Sequence, residues 1–242
     1  MKRFGLIGYP LGHSFSRQYF SEKFKNEKLE DHVYENFELK SIDEFPGLIN
    51  SHPDLQGLNV TIPYKEQVIP FLDELDETAA RVGAVNVIHI RNGKTQGYNS
   101  DLYGFRESLL PVLSEIPSKA LVLGTGGASK AVRVALTELG IQPVLVSRNP
   151  GSEQISYEDL KGQLHLYGLI VNTTPLGTFP KVDNAPAIPY EEIVNAHCLF
   201  DLVYNPELSL FLQKGWEMGA TVKNGLEMLE LQADRSWEIW HS

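Results

Sequence analysis

An apolar run of strand length, Leu121-Val122-Leu123, passes straight into Gly124-Thr125-Gly126-Gly127-Ala128-Ser129, and a good helix former follows from 130 to 139. No other feature limits the fold so tightly. A buried parallel strand that turns through glycines into a helix start leaves unpaired N–H groups and the positive helix end beside backbone that a ligand can approach closely. That is a cradle for a pyrophosphate. The turn departs from G-x-G-x-x-G at its sixth place, Ser129, so its context has to support it. Gly140 stops the helix, and residues 143–147 form the next apolar strand, completing one strand–helix–strand unit. A dinucleotide domain opening near residue 119 leaves more than a hundred residues in front of it, room for a separate substrate-holding domain.

The rest of the chain reads as alternating strands and helices. Ahead of the glycine turn we expect strands at 3–8, 32–38 and 58–60, with helices at 16–26 and 42–51. Short helices at 64–71 and 76–82 lead to a hairpin, 85–90 with 95–98, turned at Asn92-Gly93. A connecting helix spans 102–113. Behind the turn come strands at 169–172, 199–203 and 220–223, with helices at 208–218 and 226–240. The expected fold class is α/β in two domains: a mixed α/β substrate domain and a Rossmann-like, doubly wound parallel sheet. The boundaries are placed at 1–101 with 225–242 for the first, and 102–224 for the second.

A formal net charge of −10 argues against sequence-independent nucleic-acid binding, which needs a basic face. It leaves anionic small ligands open, because a site needs only local donors. Nothing approaches a membrane span, and no signal peptide is visible. The single cysteine, Cys198, lies in an apolar run and reads as a buried thiol, which fits a reducing, cytoplasmic setting. A monomer or a homodimer is expected.

Several clusters could carry chemistry. Past the second strand of the dinucleotide unit, where an NAD enzyme usually has a carboxylate for the ribose, stands Ser147-Arg148-Asn149. No carboxylate there repels a 2′-phosphate and a guanidinium is ready to pair with one, although a solvated arginine is the plain alternative. Asn59-Val60-Thr61-Ile62-Pro63-Tyr64-Lys65 carries a strand into a short helix; Lys65 either faces a cleft or is simply exposed. Asp101 opens the connecting helix, as an N-cap or as a carboxylate at a cleft between the domains. A lysine held by a carboxylate there would stay protonated and donate to a developing alkoxide. Ser14 and Ser16, ahead of a helix, are either caps or joint donors to a carboxylate.

Together these segments resemble the shikimate dehydrogenase family. Gly8-Tyr9-Pro10-Leu11-Gly12-His13-Ser14-Phe15-Ser16 is similar to its N-terminal signature, residues 59–65 to its lysine motif, and Gly83-Ala84-Val85-Asn86 to the strand after it. Asn99-Ser100-Asp101 resembles its Asn-Thr-Asp element, and residues 124–129 its glycine turn with one change. Asn172-Thr173-Thr174-Pro175-Leu176-Gly177, Asp201-Leu202-Val203-Tyr204-Asn205-Pro206 and Asn224-Gly225-Leu226, with Met228, Leu229 and Gln232, complete the likeness in order. The resemblance implies reversible NADPH-dependent reduction of 3-dehydroshikimate to shikimate, toward chorismate and the aromatic amino acids. It implies Lys65 and Asp101 as the catalytic pair, Ser14 and Ser16 on the substrate carboxylate, and Thr61, Asn86 and Gln232 on ring hydroxyls. Tyr204 and Gly225 would lie where substrate meets nicotinamide. Gly124, Gly126, Gly127, Ala128 and Ser129 would hold the pyrophosphate, Arg148 the 2′-phosphate, with Ser147 and Thr173 also at the cofactor.

Two departures bear on this. The family's Asn-Arg-Thr cofactor motif carries another arginine three residues later, and here Pro150, Gly151 and Ser152 follow instead. The NADP preference should therefore be weaker, with NAD usable. The stretch after Arg148 is also short, which implies a trimmed helix. A quinate/shikimate dehydrogenase using NAD, and a non-catalytic NADP(H)-binding sensor, are the alternative readings.

Overall fold

The structure is a computed structural model that describes residues 1–12 and 15–242. The chain divides into two compact units, Met1–Ser100 with Gln232–Ser242, and Asp101–Leu231. The return to the first unit falls inside the last helix, not at 224/225 where its start suggested a boundary. Hydrogen bonding keeps a helix continuous whichever body each of its turns packs with.

The first unit runs β1 (Lys2–Gly8), α1 (Phe15–Asn26), β2 (His32–Glu38), α2 (Phe45–Ser51), β3 (Leu55–Val60), α3 (Tyr64–Gln67), β4 (Glu74–Leu75), α4 (Glu77–Val82), β5 (Val87–Arg91) and β6 (Lys94–Tyr98). Its sheet has the order β2-β1-β3-β5-β6-β4. β1 pairs in parallel with β2 and β3, whereas β5 is antiparallel to β3 and β6. Strand alternation feeds two cores. Ile7, Leu58 and Ile88 pack with Phe45, Tyr64 and Val68 on one face, and Phe4, Leu6 and Val87 with Phe20, Phe24, Tyr34 and Trp240 on the other. Gly57 explains how the final helix gets so close. A Cβ there would sit 2.2 Å from the Trp240 indole nitrogen, which donates to the Ile88 carbonyl at 3.0 Å.

The second unit opens with α5 (Asp101–Leu109) and continues β7 (Lys119–Leu123), α6 (Gly127–Glu138), β8 (Gln142–Val146), β9 (Gln154–Ile155), β10 (Leu169–Asn172), β11 (Cys198–Asp201), α7 (Leu210–Glu217) and β12 (Thr221–Lys223). The final helix, α8 (Leu226–Trp240), closes the chain. The sheet order is β12-β11-β10-β7-β8-β9, and every pairing is parallel. α6 turns Ala131, Val132, Ala135 and Leu136 inward at helical spacing. Gly140, at φ +75°, ends it in the left-handed conformation that glycine adopts without strain.

Some elements differ from the sequence reading. The expected helices at 42–51 and 64–71 each divide into a short α-helix and a 3-10 turn beside a proline. The first hairpin strand begins at Val87, because the Val85 amide donates to the Lys65 carbonyl instead of the ladder. Among the described residues, the link between β8 and β10 holds only β9 and 3-10 turns at Glu158–Leu160 and Leu164–Leu166. The helix expected there to be trimmed is absent. Cys198 is buried, and burial pushes its thiol up to about 11. No described helix is long and apolar enough to cross a membrane.

Candidate active site

In the first unit the segments that carry Thr61, Lys65 and Asn86 come together past the end of the interior strand β3. β3 ends at Val60, and Val60 donates its amide to the Asn86 carbonyl at 2.9 Å. Thr61 follows, its amide on the Ile7 carbonyl at 2.9 Å, and its methyl lies where a Cβ on Gly8 would go. The Thr61 carbonyl accepts from the Tyr64 amide at 2.9 Å, starting α3, whose second residue is the half-buried Lys65. The Lys65 carbonyl then holds the Val85 amide at 2.7 Å, next to Asn86. Asn99 donates to the Ala84 carbonyl at 2.9 Å, and the Ser100 amide to Asn86 Oδ1 at 2.7 Å. These bonds fix the chain immediately before Asp101, which is buried at the start of α5.

A buried polar network runs through Asn86 and Ser100. Tyr34 donates to Asn59 Oδ1 at 2.8 Å and accepts from the Ser16 hydroxyl; burial pushes its own hydroxyl strongly up. Asn59 Nδ2 donates to Ser236 Oγ at 2.9 Å and to the Asn86 carbonyl at 3.3 Å. Asn86 Nδ2 reaches Ser100 Oγ at 3.0 Å and Gln232 Oε1 at 3.4 Å. Ser16, Asn86 and Gln232 are thus parts of one network. Tyr34, Asn59, Ser100 and Ser236 are members that reasoning from the sequence missed. Ser236 was detectable in principle, since it follows Gln232 by one helical turn and donates to its carbonyl at 2.8 Å. Ser14, and His13 beside it, lie outside the described residues.

In the second unit the candidate cofactor residues collect at the carboxyl ends of the strands. The order places a switch point between β7 and β10, which run on to opposite halves of the sheet. Gly124 leaves β7 at φ +105°, and a Cβ there would come within 2.9 Å of Thr174 and 3.0 Å of the Thr173 hydroxyl. The Thr173 amide and hydroxyl both donate to the Leu123 carbonyl, at 3.0 and 2.8 Å. Gly126 begins α6 with no side-chain cap, and the space where its Cβ would stand is open. Gly127 and Ala128 form the first turn, and Ser129 donates back to the Gly126 carbonyl at 2.6 Å. An uncapped helix start beneath open space is what a diphosphate needs. Ser147 sits just past β8, its amide on the Ile155 carbonyl at 3.0 Å and its hydroxyl accepting from Asn149 at 3.2 Å. Arg148 is exposed, so its guanidinium is available to a phosphate.

Three loops meet past β10 and β11. Tyr204 is partly exposed at 37%, and burial of the remainder raises its hydroxyl. Gly225 donates to the Val203 carbonyl at 3.2 Å, and a Cβ there would lie 2.3 Å from the Leu202 carbonyl oxygen. No group of three or more His, Cys, Asp or Glu suited to a metal occurs among the described residues.

Residues 6–88 match the family model described as the shikimate dehydrogenase substrate binding domain. Shikimate dehydrogenase (NADP(+)) of Clostridium beijerinckii is 39% identical over 254 residues, covering 99% of this chain and 92% of that one. The chain belongs to the shikimate dehydrogenase family. Among solved structures, shikimate dehydrogenase 1 from Peptoclostridium difficile is similar with a TM-score of 0.88 at 37% identity, covering 100% of this chain and 92% of that one. The Thermus thermophilus shikimate 5-dehydrogenase in complex with NADP(H) and shikimate has a TM-score of 0.87 at 31% identity, covering 99% of this chain and 93% of that one. The matched substrate-binding region of the family lies wholly in the first unit.

Proposed function

We propose that this chain is an NADP-dependent shikimate dehydrogenase, interconverting 3-dehydroshikimate and shikimate on the route to chorismate and the aromatic amino acids. One observation carries the reading. Past the end of β3, backbone hydrogen bonds tie together the segments that carry Thr61, Lys65 and Asn86, and Gln232 of the last helix meets Asn86, in a chain similar from end to end to shikimate dehydrogenases.

Neutral amides and hydroxyls, rigidly held, suit a polyhydroxylated ring, because a site built to hydrogen-bond a hydroxyl rejects analogues lacking it. Thr61, Asn86 and Gln232 bind the ring hydroxyls, and Ser14 and Ser16 the carboxylate. The nicotinamide, when bound, supplies or takes up the hydride at the ring carbon. Lys65 gives its proton to the carbonyl oxygen as that oxygen gains negative charge, and recovers it in the reverse direction. Asp101 is its catalytic partner. Gly124, Gly126, Gly127, Ala128 and Ser129 receive the diphosphate, with Ser147 and Thr173 beside it, and Arg148 pairs with the 2′-phosphate. Arg148 stands without the usual second arginine, so NAD is a slower alternative cofactor. A cytoplasmic monomer or homodimer completes the reading.

The decisive measurement is absorbance at the nicotinamide band with shikimate and NADP⁺, with quinate and NAD⁺ as parallel arms. Turnover fastest with shikimate and NADP⁺ is expected. Faster turnover with quinate and NAD⁺ would shift the assignment to the sister activity, and tight NADPH binding with no turnover would favour a sensor.

A further inference from the structure

Asp201 is the last residue of β11 and is fully buried, with 0% of its surface exposed. The chemistry proposed above gives it no task. An ionised carboxylate in such a place is costly, and three donors offset part of that cost. Oδ1 accepts from Asn172 Nδ2 at 2.9 Å and from the Val203 amide at 3.0 Å, and Oδ2 accepts from Ser209 Oγ. The donors come from the end of β10 and from the two ends of the connection between β11 and α7, where Ser209 is the helix N-cap. Asn172 ends β10, and its Oδ1 in turn accepts from the Thr174 amide at 3.0 Å and the Thr174 hydroxyl at 2.6 Å. The Asn172 carbonyl accepts from the Leu202 amide at 3.0 Å. Val203 holds Gly225 through its carbonyl and leads to Tyr204.

We infer that Asp201 is a positioning residue for the coenzyme: through Asn172 and the Val203 amide it sets the loops carrying Thr173, Tyr204 and Gly225. The inference rests on the functional reading above for what those loops hold. Geometry argues for it over a purely structural part. Two adjacent parallel strands need no carboxylate to pair, whereas the loop leaving β10 must hold a close approach to Gly124, and Asp201 bonds the residue from which that loop departs. An anionic acceptor binds its donors about twice as strongly as a neutral one and so restricts loop geometry more tightly. Burial holds the Asp201 carboxyl up at about 6, so its ionised form weakens the folded state at neutral pH while orienting the loops. Stability given up at a site is a sign that the site has a task.

Three variants test this at pH 7.5, each read by NADPH affinity from fluorescence titration, KM for shikimate and melting temperature. Asp201→Asn keeps the shape and a neutral acceptor. It should weaken NADPH about 5-fold, leave KM for shikimate within 2-fold, and melt no lower than the unsubstituted protein. Asp201→Ala, which removes the shared acceptor of all three donors, should weaken NADPH more than 20-fold. Ile193→Val, a core trim outside these bonds, should lower the melting temperature and leave NADPH affinity within 2-fold. NADPH affinity unchanged in Asp201→Asn would overturn the inference, as would losses that simply follow melting temperature across the three. If Asp201→Ala does not fold, Asp201→Asn against Ile193→Val still decides. Binding is read separately from turnover, so an unsubstituted protein that binds NADPH without oxidising shikimate would sink the functional reading and leave Asp201 tested. An unsubstituted protein that does not bind NADPH would sink both.

Discussion

The two units solve the same problem with different chemistry. Each must hold loops and side chains at one edge of a sheet where hydrophobic packing has run out. The first does it with Tyr34, Asn59, Asn86, Ser100, Gln232 and Ser236, amides and hydroxyls that bond one another in a chain. The second centres the ends of β10 and β11 on one carboxylate, Asp201, and fastens to it Asn172 and both ends of the connection from β11 to α7, at Val203 and Ser209. Neutral networks cost less to bury and present donors and acceptors together, which suits a ligand rich in hydroxyls. A carboxylate accepts only, but it accepts strongly, and so orders backbone N–H groups. The consequence is an asymmetry in pH response: the first network has little to titrate through its Asn59 bonds, and the second titrates at its centre.

The largest expected effect separates the chemistry from both frameworks. Lys65→Ala should lower kcat about 10²- to 10⁴-fold with a smaller change in KM and little change in melting temperature; an unchanged kcat would remove Lys65 from the reaction. Next comes the neutral network. Asn59→Ala takes away the acceptor of the buried Tyr34 hydroxyl and one donor to Ser236 and should cost about 1–3 kcal/mol in urea unfolding, by the same amount at pH 5 and pH 8. A loss that varied with pH would break the contrast drawn between the units.

The carboxylate should behave otherwise. The folded carboxyl of Asp201 lies at about 6, above the ordinary 3.8, because it is buried. Its stabilising contribution is therefore complete below about pH 4 and is lost as pH rises through about 6. Relative to Asp201→Asn, the unsubstituted protein should lose on the order of 3 kcal/mol across that window. A flat difference between the two from pH 4 to 7 would show that the carboxyl does not titrate there. The smallest effect concerns the coenzyme. Arg148→Ala should weaken NADPH roughly 5-fold and NADH hardly at all, since an exposed ion pair contributes about 1 kcal/mol; equal losses on both would mean the guanidinium does not read the 2′-phosphate.

Much of this layout was legible in the chain. The glycine turn, the helix ending at Gly140, and the alternation of strands and helices needed only local patterns, and local patterns survive in a linear sequence. Asn86 and Gln232 stood out as members of motifs. Their joint membership of one network did not, because they are 146 positions apart and nothing local couples them. Asn59 and Ser236, 177 positions apart, are the extreme case. β4 and β9 were missed for a different reason. Two residues are too few to show a period, and each strand exists only because a neighbouring edge offers it partners.

By itself the sequence determined the order of the longer elements, the hairpin, the parallel sheet of the second unit and the glycine cradle, since hydrophobic period, turn residues and helix stops act over a few residues at a time. The tertiary structure alone decided which polar side chains meet and which are buried. A carboxylate such as Asp201 has the same local signature at a solvated strand end as at a hub, and only the donors brought to it from distant segments make the difference.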